Sequence, residues 1–190
     1  MATTQPTPIG RIMLKNVRLS FPALFKAEAF KPGDEPKFKA TFLVAKGDPQ
    51  EKVIEAKILA ILKEKSPAKA DAILKSIRNN PNKFCWSDGD TKSYDGYEGM
   101  MALSCKAKTR PTVIAADRSP LAEEDGKPYP GCYVNASIDL FAYDNSGVGV
   151  SASLRGVQFV SDGDSFSGSR PADSDEFEEV TAGADAEDFA

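Results

Sequence analysis

The chain has 190 residues, 41% hydrophobic and 27% charged, with 24 Lys+Arg, 28 Asp+Glu and no histidine. This is the composition of a globular protein large enough for a real core. The missing imidazole excludes Ser-His-Asp and Cys-His nucleophilic sites and histidine-ligated zinc. Cys85, Cys105 and Cys132 are unevenly spaced, which argues against a disulfide framework and offers no C-x-x-C for zinc. No apolar run approaches the ~20 residues of a bilayer span. Residues 1–10 are Thr/Pro-rich without the apolar stretch of a signal peptide, so a cytosolic protein with no membrane partner is expected.

After this flexible start, Ile12 to Phe21 reads as a strand whose alternation slips near Asn16, the mark of a bulge. Ser20 to Asp34, with Pro22, Pro32 and Gly33, is expected to be a long connection. Pro36 to Ala45 alternates cleanly: Phe38, Ala40, Phe42 and Val44 share one face, and Lys37, Lys39 and Thr41 share the other. Asp48-Pro49-Gln50-Glu51 then supplies a helix start, followed by Val53, Ile54, Ile58, Ile61 and Leu62 at helical spacing. A second helix restarts at Ser66-Pro67, carries Ile73, Leu74 and Ile77 on one side, and stops at Asn79-Asn80-Pro81-Asn82.

Asn82 to Gly99 is polar yet holds Phe84, Trp86, Tyr94 and Tyr97. Met100 to Arg110 alternates again, as does Cys132 to Tyr143, and Asn145-Ser146-Gly147 turns the latter into a last strand over Val148 to Val160. Five strands with a helical insertion and no βα rhythm predict a mainly β fold, an antiparallel sheet closed or half-closed into a small barrel. Residues 161–190 are predicted to be a disordered tail. Its last twenty residues hold Asp173, Asp175, Glu176, Glu178, Glu179, Asp185, Glu187 and Asp188 with no basic side chain, so the body alone carries 24 basic against 20 acidic groups. Such a segment buries too little apolar surface to offset its ordering entropy. Phe189 near its end is more than a solubilising tail requires.

The faces opposite the core carry the candidate chemistry. Lys37, Lys39, Lys106, Lys108 and Arg110 are cationic there, Tyr133, Phe141 and Tyr143 are aromatic, and Arg155 lies on the last strand with Ser151 and Ser153. Cations neutralise phosphates and aromatic rings stack on bases of any sequence. The plainer alternative is a solvated sheet face whose outer aromatics are covered by a loop or by a second copy in a homodimer. Trp86, Tyr94 and Tyr97 either form a small satellite core or add to a stacking surface. Asp88, Asp90, Asp95 and Glu98 invite a metal hypothesis, including a metal-dependent nuclease. Lys92 and Ser93 break the calcium-loop pattern, however, and surface turn chemistry is the better account.

Several segments together resemble a family of phage single-stranded-DNA-binding proteins. They are Asp95-Gly96-Tyr97-Glu98-Gly99, Lys108-Thr109-Arg110-Pro111, Tyr129 to Val134, Phe141-Ala142-Tyr143-Asp144 and Gly149 to Phe159. The resemblance covers roughly residues 12–163. It implies an OB-fold, a five-stranded antiparallel barrel over residues 11–160, binding single-stranded DNA with no catalytic residue and no cofactor. It also implies an acidic tail whose Asp185, Glu187, Asp188 and Phe189 recruit replication proteins, and a workplace in the cytoplasm of the infected bacterial host. Ala190 follows Phe189, where replication-type binders generally place the aromatic last. The rival classes are the nuclease using Asp88, Asp90 and Asp95, and a structural protein-interaction module.

Overall fold

A computed structural model describes residues 7–166; the tail residues Asp185, Glu187, Asp188 and Phe189 lie outside them. Seven strands form one sheet: β1 (Arg11–Glu28), β2 (Lys37–Ala45), β3 (Trp86–Asp88), β4 (Met100–Ala107), β5 (Thr112–Ile114), β6 (Tyr133–Asp144) and β7 (Val148–Ser161). Their order is β3-β4-β2-β1-β6-β7-β5, and an extra β4–β7 pairing closes β1, β2, β4, β7 and β6 into a five-stranded ring. This is the OB-type barrel. The closing pair is parallel, with Lys106 opposite Ser153, so the barrel is not wholly antiparallel as expected. The three-residue β5 was hidden in sequence by its brevity. It lies parallel on β7, and β4 ends at Ala107 rather than running on to Arg110.

Alternation builds the core as read. Ala40, Phe42 and Val44 of β2, Leu103 and Cys105 of β4, and Val134, Ala136, Ile138 and Leu140 of β6 are all buried. The bulge at Asn16 is present: its φ is 52°, and the β1–β6 register shifts between Leu14 and Val17. Gln50 clamps it, since its side chain accepts from Lys15 N at 2.7 Å and donates to Lys15 O at 2.9 Å.

The expected connection from Ser20 is instead a continuation of β1 to Glu28, with register breaks on either side of Ala23. Pro22 sits at one of these breaks, where a missing N–H costs no ladder bond.

The helical insertion is α1 (Pro49–Lys65) and α2 (Ala70–Ile77). The Asp48 side chain accepts from Gln50 N at 2.8 Å, Pro49 opens the helix, and Glu51 accepts from Gly47 N at 2.7 Å. Ile54, Ile58, Ile61 and Leu62 face the core, while Val53, expected with them, is exposed. No helix among the described residues is long and apolar enough to cross a membrane. All three cysteines are free and buried. Desolvation pushes the Cys85 thiol up to about 12 and the Cys132 thiol to about 11, so neither presents a thiolate near neutrality.

Candidate nucleic-acid interface

The outer faces of β2, β4 and β7 form the floor of an open groove of about 770 Å³. Small side chains pave it: Thr41 from β2, Ala102 and Ser104 from β4, and Ser151 and Ser153 from β7. Lys37, Lys39, Lys83, Lys92, Lys106 and Lys108 line it, and no carboxylate among the described residues does. Two rim lysines have partners, since Lys39 meets Glu28 at 3.2 Å and Lys108 meets Glu35 at 3.0 Å. Both pairs are largely exposed and cost little to exchange for a phosphate. Lys37, Lys92 and Lys106 make no ion pair among the described residues. Lys83 is committed differently. Its ammonium donates to the carbonyls of Asn145, Ser146 and Gly147 at 2.8, 3.0 and 3.1 Å, so it contributes charge while pinning the β6–β7 turn.

Aromatic rings stand at both ends. On the β1 side, Phe21 and Tyr94 are 50% and 53% exposed and meet edge-to-face at 4.9 Å. Tyr97 lies beneath them, buried, its ring 5.2 Å from Tyr94 and its hydroxyl donating to Ser20 Oγ at 3.1 Å. Phe21 holds a φ of 46°, a costly conformation for a bulky residue that turns its ring outward. On the β6 side, Phe141 is 43% exposed. Its neighbour Tyr143 lies flat over Gly149, where a Cβ would come within 2.5 Å of the ring, and donates to Asn82 O at 3.2 Å. The two ends are linked by register: Phe141 faces Ser151, Ser153 faces Lys106, Lys106 faces Lys39, and Lys39 faces Ala23 of β1.

Of the sequence candidates, Lys37, Lys39, Tyr94, Tyr97, Lys106, Lys108, Phe141 and Tyr143 therefore gather in one groove. Four do not. Trp86 is 1% exposed in the main core, its indole N–H donating to Glu55 of α1 at 2.7 Å. The helical insertion covers a ring that looked free in a polar stretch. Arg110 packs on Phe25, 5.6 Å from the ring centroid. Tyr133 holds the Arg18 guanidinium at 5.6 Å. Arg155 is the extra residue of a bulge between Leu154 and Gly156. That bulge re-aims it to Asp139 at 3.4 Å and Ser137 at 3.3 Å, away from Ser151 and Ser153. Sequence reasoning missed Phe21, Phe30, Lys83 and Lys92, which all line the groove. The Phe21-Pro22 step was the available signal for the first.

The acidic loop has a different role. Lys46 sits between Asp88 (2.6 Å) and Asp90, holding both carboxyls below the usual carboxylate range. Asp90 also accepts from Gly99 N at 2.7 Å. An ammonium thus occupies the place a nuclease metal would need, and no cluster of three potential metal ligands forms among the described residues.

The model of a family described as Enterobacter phage Enc34, ssDNA-binding protein, matches residues 10–190. A putative protein p50 of Acyrthosiphon pisum secondary endosymbiont phage 1 is 47% identical over 180 residues, covering 93% of this chain and 97% of that one. The solved single-stranded DNA-binding protein from bacteriophage Enc34 in complex with ssDNA superposes with a TM-score of 0.69 at 28% identity, over 83% of this chain and 89% of that one. The single-stranded DNA-binding protein gp2.5 of bacteriophage T7 shares the fold, with a TM-score of 0.52 at 17% identity over 92% of this chain and 98% of that one. The chain belongs to the family of the Enterobacter phage Enc34 single-stranded-DNA-binding protein.

Proposed function

We propose that this protein binds single-stranded DNA without sequence preference during phage DNA replication, recombination or repair, in the cytoplasm of the infected host. The observation that carries the reading is a groove that the described residues line with six lysines and no carboxylate, and an exposed aromatic at each end. Phosphates would be neutralised along the floor. Bases would stack on Phe21 and Tyr94 at one end and on Phe141 at the other. Neither a phosphate contact nor a stacked ring depends on which base is bound, which suits a binder that must accept every sequence.

The eight carboxylates of residues 171–190 complete the proposal. Tethered to a basic body, they stand at an effective concentration on the order of millimolar. They would compete with phosphates for the groove, and DNA would release them to recruit replication proteins.

The test titrates a labelled single strand into the full chain and into a chain cut after Arg170. Both should bind, the cut chain more tightly at low salt, with the advantage shrinking as salt screens tail and DNA alike. Failure of both to bind at low salt would instead favour a protein-interaction module. Equal affinities would deny the tail a role as a DNA mimic.

A further inference from the structure

The chain does not leave the barrel freely after β7. Phe166 returns to the body. Its N–H donates to Pro130 O at 3.2 Å, and the Arg18 guanidinium lies 4.3 Å from its ring centroid. Arg18 itself donates to Gly131 O at 3.2 Å and to Asp164 O at 2.7 Å, and is backed by the Tyr133 ring. These bonds fix where the Phe166 ring goes.

It does not line the groove but packs against Tyr97 and Ala102, which do. A Cβ on Gly96, whose φ is +78°, would lie 2.1 Å from a Phe166 ring atom, so the ring rests directly against that glycine. Phe166 joins Leu43, Tyr97, Ala102 and Met100 in a small apolar cluster, separate from the main core. Tyr97 in turn meets both Tyr94 and Phe21. The segment from Tyr94 to Gly99 is neither helix nor strand, and two of its residues are glycines with positive φ. It is pinned at Gly99 by Asp90 and at Tyr97 by Ser20. Phe166 supplies the apolar backing.

We propose that Phe166 is a positioning residue of the single-strand interface. It props the 94–97 loop from the side opposite the DNA, so that Tyr94 is held ready to stack. A stacking ring that must first be ordered loses affinity to that ordering, and a prop placed behind it removes the cost. The segment that begins the tail would thus have two opposed roles: its root supports binding, while the carboxylates beyond residue 170 oppose it. This inference rests on the groove reading above.

A double-mutant cycle on the full chain tests it, with single-strand affinity as the readout and Trp86 emission as the check on folding. Phe166→Ala should weaken binding about 3- to 10-fold, and Phe166→Leu, which refills most of the space, by less than half of that on a logarithmic scale. In a Tyr94→Ala background the further effect of Phe166→Ala should shrink to under twofold, because the prop then has nothing to hold. Gly96→Ala is no substitute, because at its positive φ it strains the loop whatever the ring does. If Phe166→Ala shifts the Trp86 emission, the milder Phe166→Leu decides the matter through the same cycle. Wild-type affinity in Phe166→Ala, a loss in Phe166→Leu as large as in Phe166→Ala, or a loss that persists undiminished beside Tyr94→Ala, would overturn the proposal. Wild-type affinity in Tyr94→Ala alone would overturn it too, and would place the failure in the groove reading rather than in the prop.

Discussion

Replacing Trp86 by alanine should destabilise the protein by about 3–5 kcal/mol while leaving the side chains of the lysine groove unchanged. The indole is among the largest fully buried side chains, and it joins the short edge strand β3 to α1 through its bond to Glu55. Alanine removes the ring's packing and leaves Glu55 with only Arg78 at 3.2 Å. The cost follows from the cavity, because neighbours relax only partly into such a space. A denaturant midpoint followed by far-UV circular dichroism gives the number. The same burial means that adding a single strand should leave Trp86 emission nearly unquenched. A loss under about 1 kcal/mol, or strong quenching by DNA, would mean the ring is not where the fold places it.

The largest loss of binding should come from removing both stacking ends at once. Base–aromatic stacking is worth about 1–3 kcal/mol per base. Tyr94 meets Phe21 and Tyr97 while Phe141 meets Tyr143, so their effects should add. Tyr94→Ala with Phe141→Ala should therefore weaken single-strand binding by at least about 2 kcal/mol, roughly 30-fold. Since neither substitution removes a charge, the dependence of affinity on salt should not change. An affinity within threefold of wild type would leave the lysines as the whole of the interface.

How much of this was legible in the sequence depended on whether a signal was local. The alternation of β2, the Asp48–Glu51 helix start and the Asn145–Gly147 turn each write their structure into neighbouring residues, and each appears where it was read. The lysine face was legible for the same reason, because period-two alternation assigns Lys37, Lys39 and Lys106 to one side. Reading failed where a backbone irregularity or a distant element decided the outcome. The bulge at Arg155 breaks the phase that put it beside Ser153. The positive φ of Phe21 turns outward a ring whose alternation with Val17 and Leu19 would have buried it. The polar stretch around Trp86 left it open between a small core and a stacking surface, and α1, more than thirty residues upstream at Glu55, decides for burial. Phe166 lies in a segment expected to belong to the disordered tail, and only the tertiary fold brings Arg18 and Gly96 to it.

Uptake of single-stranded DNA through its phosphates is proposed for the groove that Lys37, Lys39, Lys83, Lys92, Lys106 and Lys108 line. It is tested most directly by single-strand affinity against salt, measured on the chain cut after Arg170 with and without Lys106→Ala and Lys108→Ala. The account predicts a straight log–log line with a slope of about −0.7 per neutralised phosphate, made shallower by about 0.7 to 1.4 units in the double variant. A slope that is the same with and without these two lysines would place the phosphate path outside this groove and contradict the account.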